Sequence, residues 1–179
     1  MTLSVSLFTA SVVLLAVTDV CVSQPSNPVA PAGTQDSLPT TVEEARTRAR
    51  ILHEAFHGAL QVVHRDFFDP DQRQSIPSRS LEDVFKELER NWQVKIHWLA
   101  VSADAMNVDN KPRDDFERKA VSAISSGKPE FEALEDNVYR YVGSIRLASQ
   151  CLKCHAPRRT SNVDRAAGLV ITMGLRSMR

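Results

Sequence analysis

Apolar side chains recur at Ala45, Ala49, Leu52, Phe56, Ala59 and Val63, in steps of three and four residues. That spacing marks one face of a long amphipathic α-helix. The stretch TVEE at 41–44 offers a capping box at its start, the Thr41 hydroxyl serving an orphan backbone N–H while Glu44 reaches back. The helix is predicted to run to Phe68, where Asp69 and Pro70 stop it.

The segments that follow change period. Leu81, Val84, Phe85 and Leu88 predict a second helix over 81–92, capped by Ser80. In VKIHWLAV, 94–101, Val94, Ile96, Trp98 and Ala100 alternate with Lys95, His97, Leu99 and Val101, the pattern of a half-buried strand with His97 on the exposed side. Pro112 suits the first position of a helix carrying Phe116, Ala120, Val121 and Ile124, stopped by Gly127. The runs VYRYVGSIRLAS, 138–149, and GLVITM, 168–173, read as strands. Helix, helix, strand, helix, strand, strand predicts an α+β domain with a few antiparallel strands.

The uninterrupted apolar and small-residue run at 3–17 has the length of a signal peptide rather than of a membrane span, which needs roughly 20 residues. Cleavage is expected after Ser23, giving a signal peptide over 1–23, a Pro- and Ser-rich linker over 24–40 and one domain over 41–179. No Lys or Arg precedes the run, so a retained membrane anchor is the alternative; Asp19 and Val20 argue against lipidation at Cys21. The expected location is periplasmic or otherwise exported. The 22 Lys and Arg balance 22 Asp and Glu, which speaks against nucleic acid as a partner.

If Cys21 leaves with the signal peptide, the mature chain holds only Cys151 and Cys154, in the stretch CLKCH at 151–155. Two thiols one turn apart can add to the two vinyl groups on one edge of a porphyrin, and His155 then falls beneath the iron. A structural zinc site or a thiol redox pair would use the same cysteines, but zinc wants two further ligands at finger-like spacing and a redox pair wants a βαβ context. Haem c, one per chain, is the reading the spacing favours.

HEAFH at 53–57 competes for attention, since His53, Glu54 and His57 match the helix of a zinc hydrolase. The next histidine, His64, lies about 10 Å further along an unbroken helix, too far to share an ion with the first two. At 100° per residue the three histidines span an arc of about 40°. Such a stripe, bordering the apolar face, suits the open side of a haem. His64 is the first candidate for the distal ligand, then His57, then His53. Met106, Met173 and Met178 are alternatives, with Met173 expected to fill core.

CLKCH after VYRYVGSIRLAS and before AGLVITM, together with NVDNKPRDDFE at 107–117, resembles a family of exported c-type haem domains with a PAS-like sensor fold. The resemblance covers roughly 41–173. It implies a single-haem domain, a small antiparallel sheet with a long N-terminal helix packed over it, and Cys151, Cys154 and His155 as the haem-binding residues. The expected function is electron transfer or haem-based redox or gas sensing rather than catalysis, with a redox protein or a small diatomic ligand as partner. A zinc hydrolase at HEAFH, or a zinc module at the cysteine pair, is the alternative.

Overall fold

The Thr41 hydroxyl accepts from the Glu44 N–H at 3.1 Å, and the Glu44 carboxylate reaches back to the Thr40 N–H at 2.8 Å. The cap is as predicted, with its return arm one residue wider than a standard box. It opens α1, Val42–Phe67. The computed structural model describes residues 37–67, 69, 76–102, 107–149, 151–156 and 158–177. The expected signal peptide and most of the expected linker lie outside them. Residues 37–40, the end of that linker, are tied down: Pro39 is buried, its carbonyl accepts from the Arg176 N–H at 2.8 Å, and Arg48 donates to the Ser37 carbonyl at 2.6 Å.

After α1 come α2 (Pro77–Trp92), β1 (Val94–Ala100), a 3-10 turn (Val108–Asn110), α3 (Asp115–Ser125), β2 (Glu130–Glu135), β3 (Val138–Leu147), α4 (Leu152–His155) and β4 (Arg165–Gly174). The strands form one antiparallel sheet in the order β1-β4-β3-β2. The α+β class is as expected from the sequence. Two helix starts differ. Pro77 opens α2 a turn earlier than the Ser80 cap, because its fixed φ and missing N–H suit a first turn. The Asp114 side chain caps α3 by accepting from the Glu117 N–H at 2.9 Å, so that helix starts at Asp115 rather than Pro112.

The sheet is covered on both faces. Ile96, Trp98, Tyr139, Tyr141, Leu169, Ile171 and Met173 pack under α1 and α2, with Phe85 of α2 in the same cluster. Leu99, Val142 and Val170 pack under Phe116, Ala120 and Ile124 of α3. A fully buried side chain such as Leu169 or Ile171 contributes about 1.5–3 kcal/mol. The second layer changes the reading of His97. It lies on the Lys95 side of β1 as predicted, but the start of α3 covers it, and its Nε2–H donates to the buried Glu117 carboxylate at 3.0 Å.

Ala45 and Ala49 bring α1 close to the sheet, and polar side chains then fix its position. Arg46 grips Glu132 with contacts of 2.6–3.0 Å, and the Tyr139 hydroxyl donates to the same carboxylate. One helical turn on, Arg50 bonds Glu130, to which the Tyr141 hydroxyl donates at 3.0 Å. These two rungs join helix, edge strand and central strand.

Their arginine partners hold both carboxyls below the usual 4.5, while burial and then the carboxylates push both tyrosines above the usual 10.0. A lowered carboxyl pKa stabilises the fold above 4.5 and loses that contribution as the pH falls; a raised tyrosine pKa stabilises it below 10.0 and loses it as the pH rises. The urea midpoint is therefore expected to be highest between these values. Glu132→Gln should flatten the acid limb, and an acid limb of unchanged steepness in that variant would refute the assignment.

Candidate functional site

At the end of β3 the chain turns: the Cys151 N–H donates to the Ala148 carbonyl at 2.8 Å, and His155 and Ala156 donate back to Cys151 and Leu152 at 3.1 and 3.0 Å. Leu152, fully buried among Leu147, Ala156 and Ala167, anchors this turn to the sheet. It is one of the two unspecified residues of the CxxC pattern, so no motif would single it out. Arg159 clamps the turn from outside, its Nη1 donating to the carbonyls of Leu152 at 2.9 Å and Ala156 at 3.4 Å. Each of these carbonyls thus accepts twice, since Leu152 also takes the Ala156 N–H and Ala156 the Arg159 N–H at 3.1 Å.

The two thiols are free, Cys151 partly covered and Cys154 exposed on the same turn. The ring of His155 is half-buried. Burial, and next the neighbouring His64, hold its pKa below the usual 6.5, so at pH 7 it is a neutral imidazole with a lone pair to donate. The second cause also locates His64 within electrostatic reach of His155, although the two stand on different elements and 91 residues apart by their numbers.

α1 continues unbroken through all three of its histidines, as predicted, and gives each a different setting. The Nδ1–H of His64 donates to the Leu60 carbonyl at 3.2 Å, which fixes the orientation of its ring against the helix. At His57 the Gln61 amide nitrogen lies 2.7 Å from Nε2 and donates to it. His53 is buried against β3, its Nε2 without a hydrogen-bond partner and its ring over Gly143. A Cβ at Gly143 would lie 2.2 Å from that ring, so the glycine is what gives His53 its place. Nε2 of His53 thus lies on the sheet and Nε2 of His57 beside Gln61. Among the described residues no three His, Cys, Asp or Glu side chains gather as a metal site. Met173 is core, as expected, while Met106 and Met178 lie outside the described residues.

The opposite face of the sheet carries a different polar group. Glu117, 1% exposed, accepts from His97, from the Arg113 N–H at 2.8 Å and from Arg140 at 3.3 Å. Arg140 also pairs with Asp114 at 2.8 Å and lies over the Phe116 ring. Burial and then Arg113 hold His97 below 6.5, so the His97 contact is a hydrogen bond from a neutral ring rather than an ion pair. A cleft of about 1090 Å³ opens beside this group, on the side away from CLKCH.

Comparison with known proteins adds two findings. The model of the Tll0287-like family matches residues 37–168. Among solved structures the chain is similar to that titled "Crystal structure of the cyanobacterial heme-protein Tll0287", with a TM-score of 0.56 and 12% identity, over 76% of this chain and 98% of that one. At that identity the likeness speaks to the fold. No curated protein matches the chain in sequence.

Proposed function

This chain belongs to the Tll0287-like family, and from that premise we propose that it is an exported one-electron carrier holding a single haem c, in a domain of PAS-like fold. Cys151 and Cys154 would form the two thioethers, and His155 would be the near axial ligand. His64 would be the distal ligand. The observation that carries this reading is that His64 of α1 lies within electrostatic reach of the half-buried His155, although the two stand on different elements. When bound, the haem supplies a reversible ferric/ferrous couple.

The chain's own residues would do the rest. Leu152 and Arg159 hold the attachment turn, and the half-buried His155 offers its lone pair without first losing a proton. Leu60 orients the ring of His64. Two histidines holding the iron would leave no position open to an added ligand, which would favour electron transfer or redox sensing over the binding of a small gas. A haem-based gas sensor is the second reading, and it would require the distal ligand to exchange.

The first test is a pyridine haemochrome assay after expression with haem-ligation machinery; no covalent haem would defeat the proposal. The second is His64→Ala, expected to convert a low-spin iron to one that is high-spin and binds CO rapidly. An unchanged low-spin spectrum would remove His64 and leave His57 as the candidate. Rapid CO binding by the unmodified protein would favour the sensor.

A further inference from the structure

The chain as a whole is neutral, yet its charges are unevenly placed. Residues 145–166, which leave β3, form the CLKCH turn and enter β4, carry Arg146, Lys153, Arg158, Arg159 and Arg165 against Asp164 alone. The pairing of Leu147 with Arg165 brings both ends of this segment to one end of the sheet. The hairpin tip at the other end exposes Glu135 and Asp136, roughly 30 Å away along the ten residues of β3.

Most of this positive charge is not neutralised by a carboxylate. Arg146 pairs with Asp164. Arg159 instead donates to two carbonyls and to Asn162 Oδ1 at 3.0 Å, and Arg165 donates to the Ser102 carbonyl at 2.9 Å. Neutral acceptors fix these guanidinium groups in place and leave their charge intact. Lys153 is exposed, between the two cysteines, and makes no ion pair among the described residues.

We propose that this end of the domain, centred on Lys153 and Cys154, is a docking surface for an acidic protein. The positive end would steer such a partner and the fixed guanidinium groups would orient it. Nucleic acid is a poor fit, because residues 145–166 contain no Phe, Tyr or Trp on which a base could stack, and the one other ring, that of His155, is half-buried. The seat matters because it is where the proposed haem would be attached, and in that respect the inference rests on the function proposed above. A partner there would stand beside the edge from which an electron leaves.

The test has one arm that needs no haem. Poly-L-glutamate is expected to bind the purified protein at low salt and to be released by about 0.15 M salt, where the screening length is about 8 Å. Poly-L-lysine should not bind. Lys153→Glu with Arg158→Glu, both at exposed positions, should weaken poly-L-glutamate binding about tenfold or more. Failure of poly-L-glutamate to bind, or binding indifferent to that double variant, would overturn the inference. So would equally tight, equally variant-sensitive binding to vesicles of equal parts phosphatidylserine and phosphatidylcholine, which would assign the patch to a membrane.

The second arm uses the reduced, haem-loaded protein in stopped flow. Ferricyanide takes one electron, becoming ferrocyanide and leaving ferric protein; tris(phenanthroline)cobalt(III) takes one likewise. The rate with the anion should fall as salt is raised and the rate with the cation should rise. In the double variant the two trends should weaken or reverse. Flat dependence for both oxidants, as net neutrality alone would give, would overturn the inference. Absence of covalent haem would sink the proposed function, and the poly-L-glutamate arm would still decide the surface.

Discussion

The Cys151→Ala, Cys154→Ala protein, expressed with haem-ligation machinery, is expected to carry no haem that resists acidified-acetone extraction. Each single variant should keep one thioether, and its pyridine haemochrome band should move to longer wavelength because one vinyl group stays conjugated to the ring. The fold should tolerate the change. Cys154 is exposed and Cys151 only lines the Leu147, Leu152 and Ala156 cluster, so the loss of packing should be on the order of 1 kcal/mol. Extraction-resistant haem in the double variant would refute the two thiols as the attachment points. Loss of haem in company with loss of the near-ultraviolet circular dichroism would make the effect one of folding.

Glu117→Ala is expected to destabilise the domain by about 3–5 kcal/mol, lowering the melting temperature by on the order of 10 °C. The carboxylate is almost wholly buried and serves three donors at once. Removing it strands the Arg113 N–H and His97, and leaves Arg140, 16% exposed, with Asp114 as its carboxylate partner. Glu117→Gln keeps an acceptor and should cost about half as much. A Glu117→Ala protein within about 1 kcal/mol of the parent would show that water replaces the carboxylate, the open cleft beside it being the source.

These two sites also mark how far the sequence could be read. Cys151, Cys154 and His155 are legible because a one-turn motif carries its own geometry. α1 and β1 are legible because their apolar periods distinguish 3.6 from 2, and β3 and β4 because they are runs rich in apolar, aromatic and β-branched residues. β2 escapes because Glu130 and Glu132 dilute the pattern of Phe131 and Ala133, as befits the edge of a sheet. The better signal was the pair Asp136–Asn137, whose φ values of 49° and 61° make the tight turn of a hairpin. His97 shows a different limit: alternation tells which face a residue is on, but whether a further layer covers that face depends on α3, two elements later. That His64 comes within electrostatic reach of His155 depends in the same way on where α1 docks, which the helix's own stripe leaves undetermined.

The manner of that docking bears on how tightly the distal position can be held. The buried residues of α1 are Ala45, Ala49 and His53, two small side chains and an imidazole whose Nε2 has no partner. Leu52, Phe56 and Leu60 are only partly covered. The helix thus withdraws far less apolar surface from water than β3 or β4. Free energies of local opening follow buried apolar contact, so α1 should detach at lower cost than the sheet unfolds, and amide exchange should find its backbone protected less than that of β4. In the proposed arrangement His64 would leave with the helix while His155 stays on its own turn. An exchangeable sixth position would then be a property of one weakly held helix, adjustable by changes at Ala45 or Ala49, far along the helix from the iron.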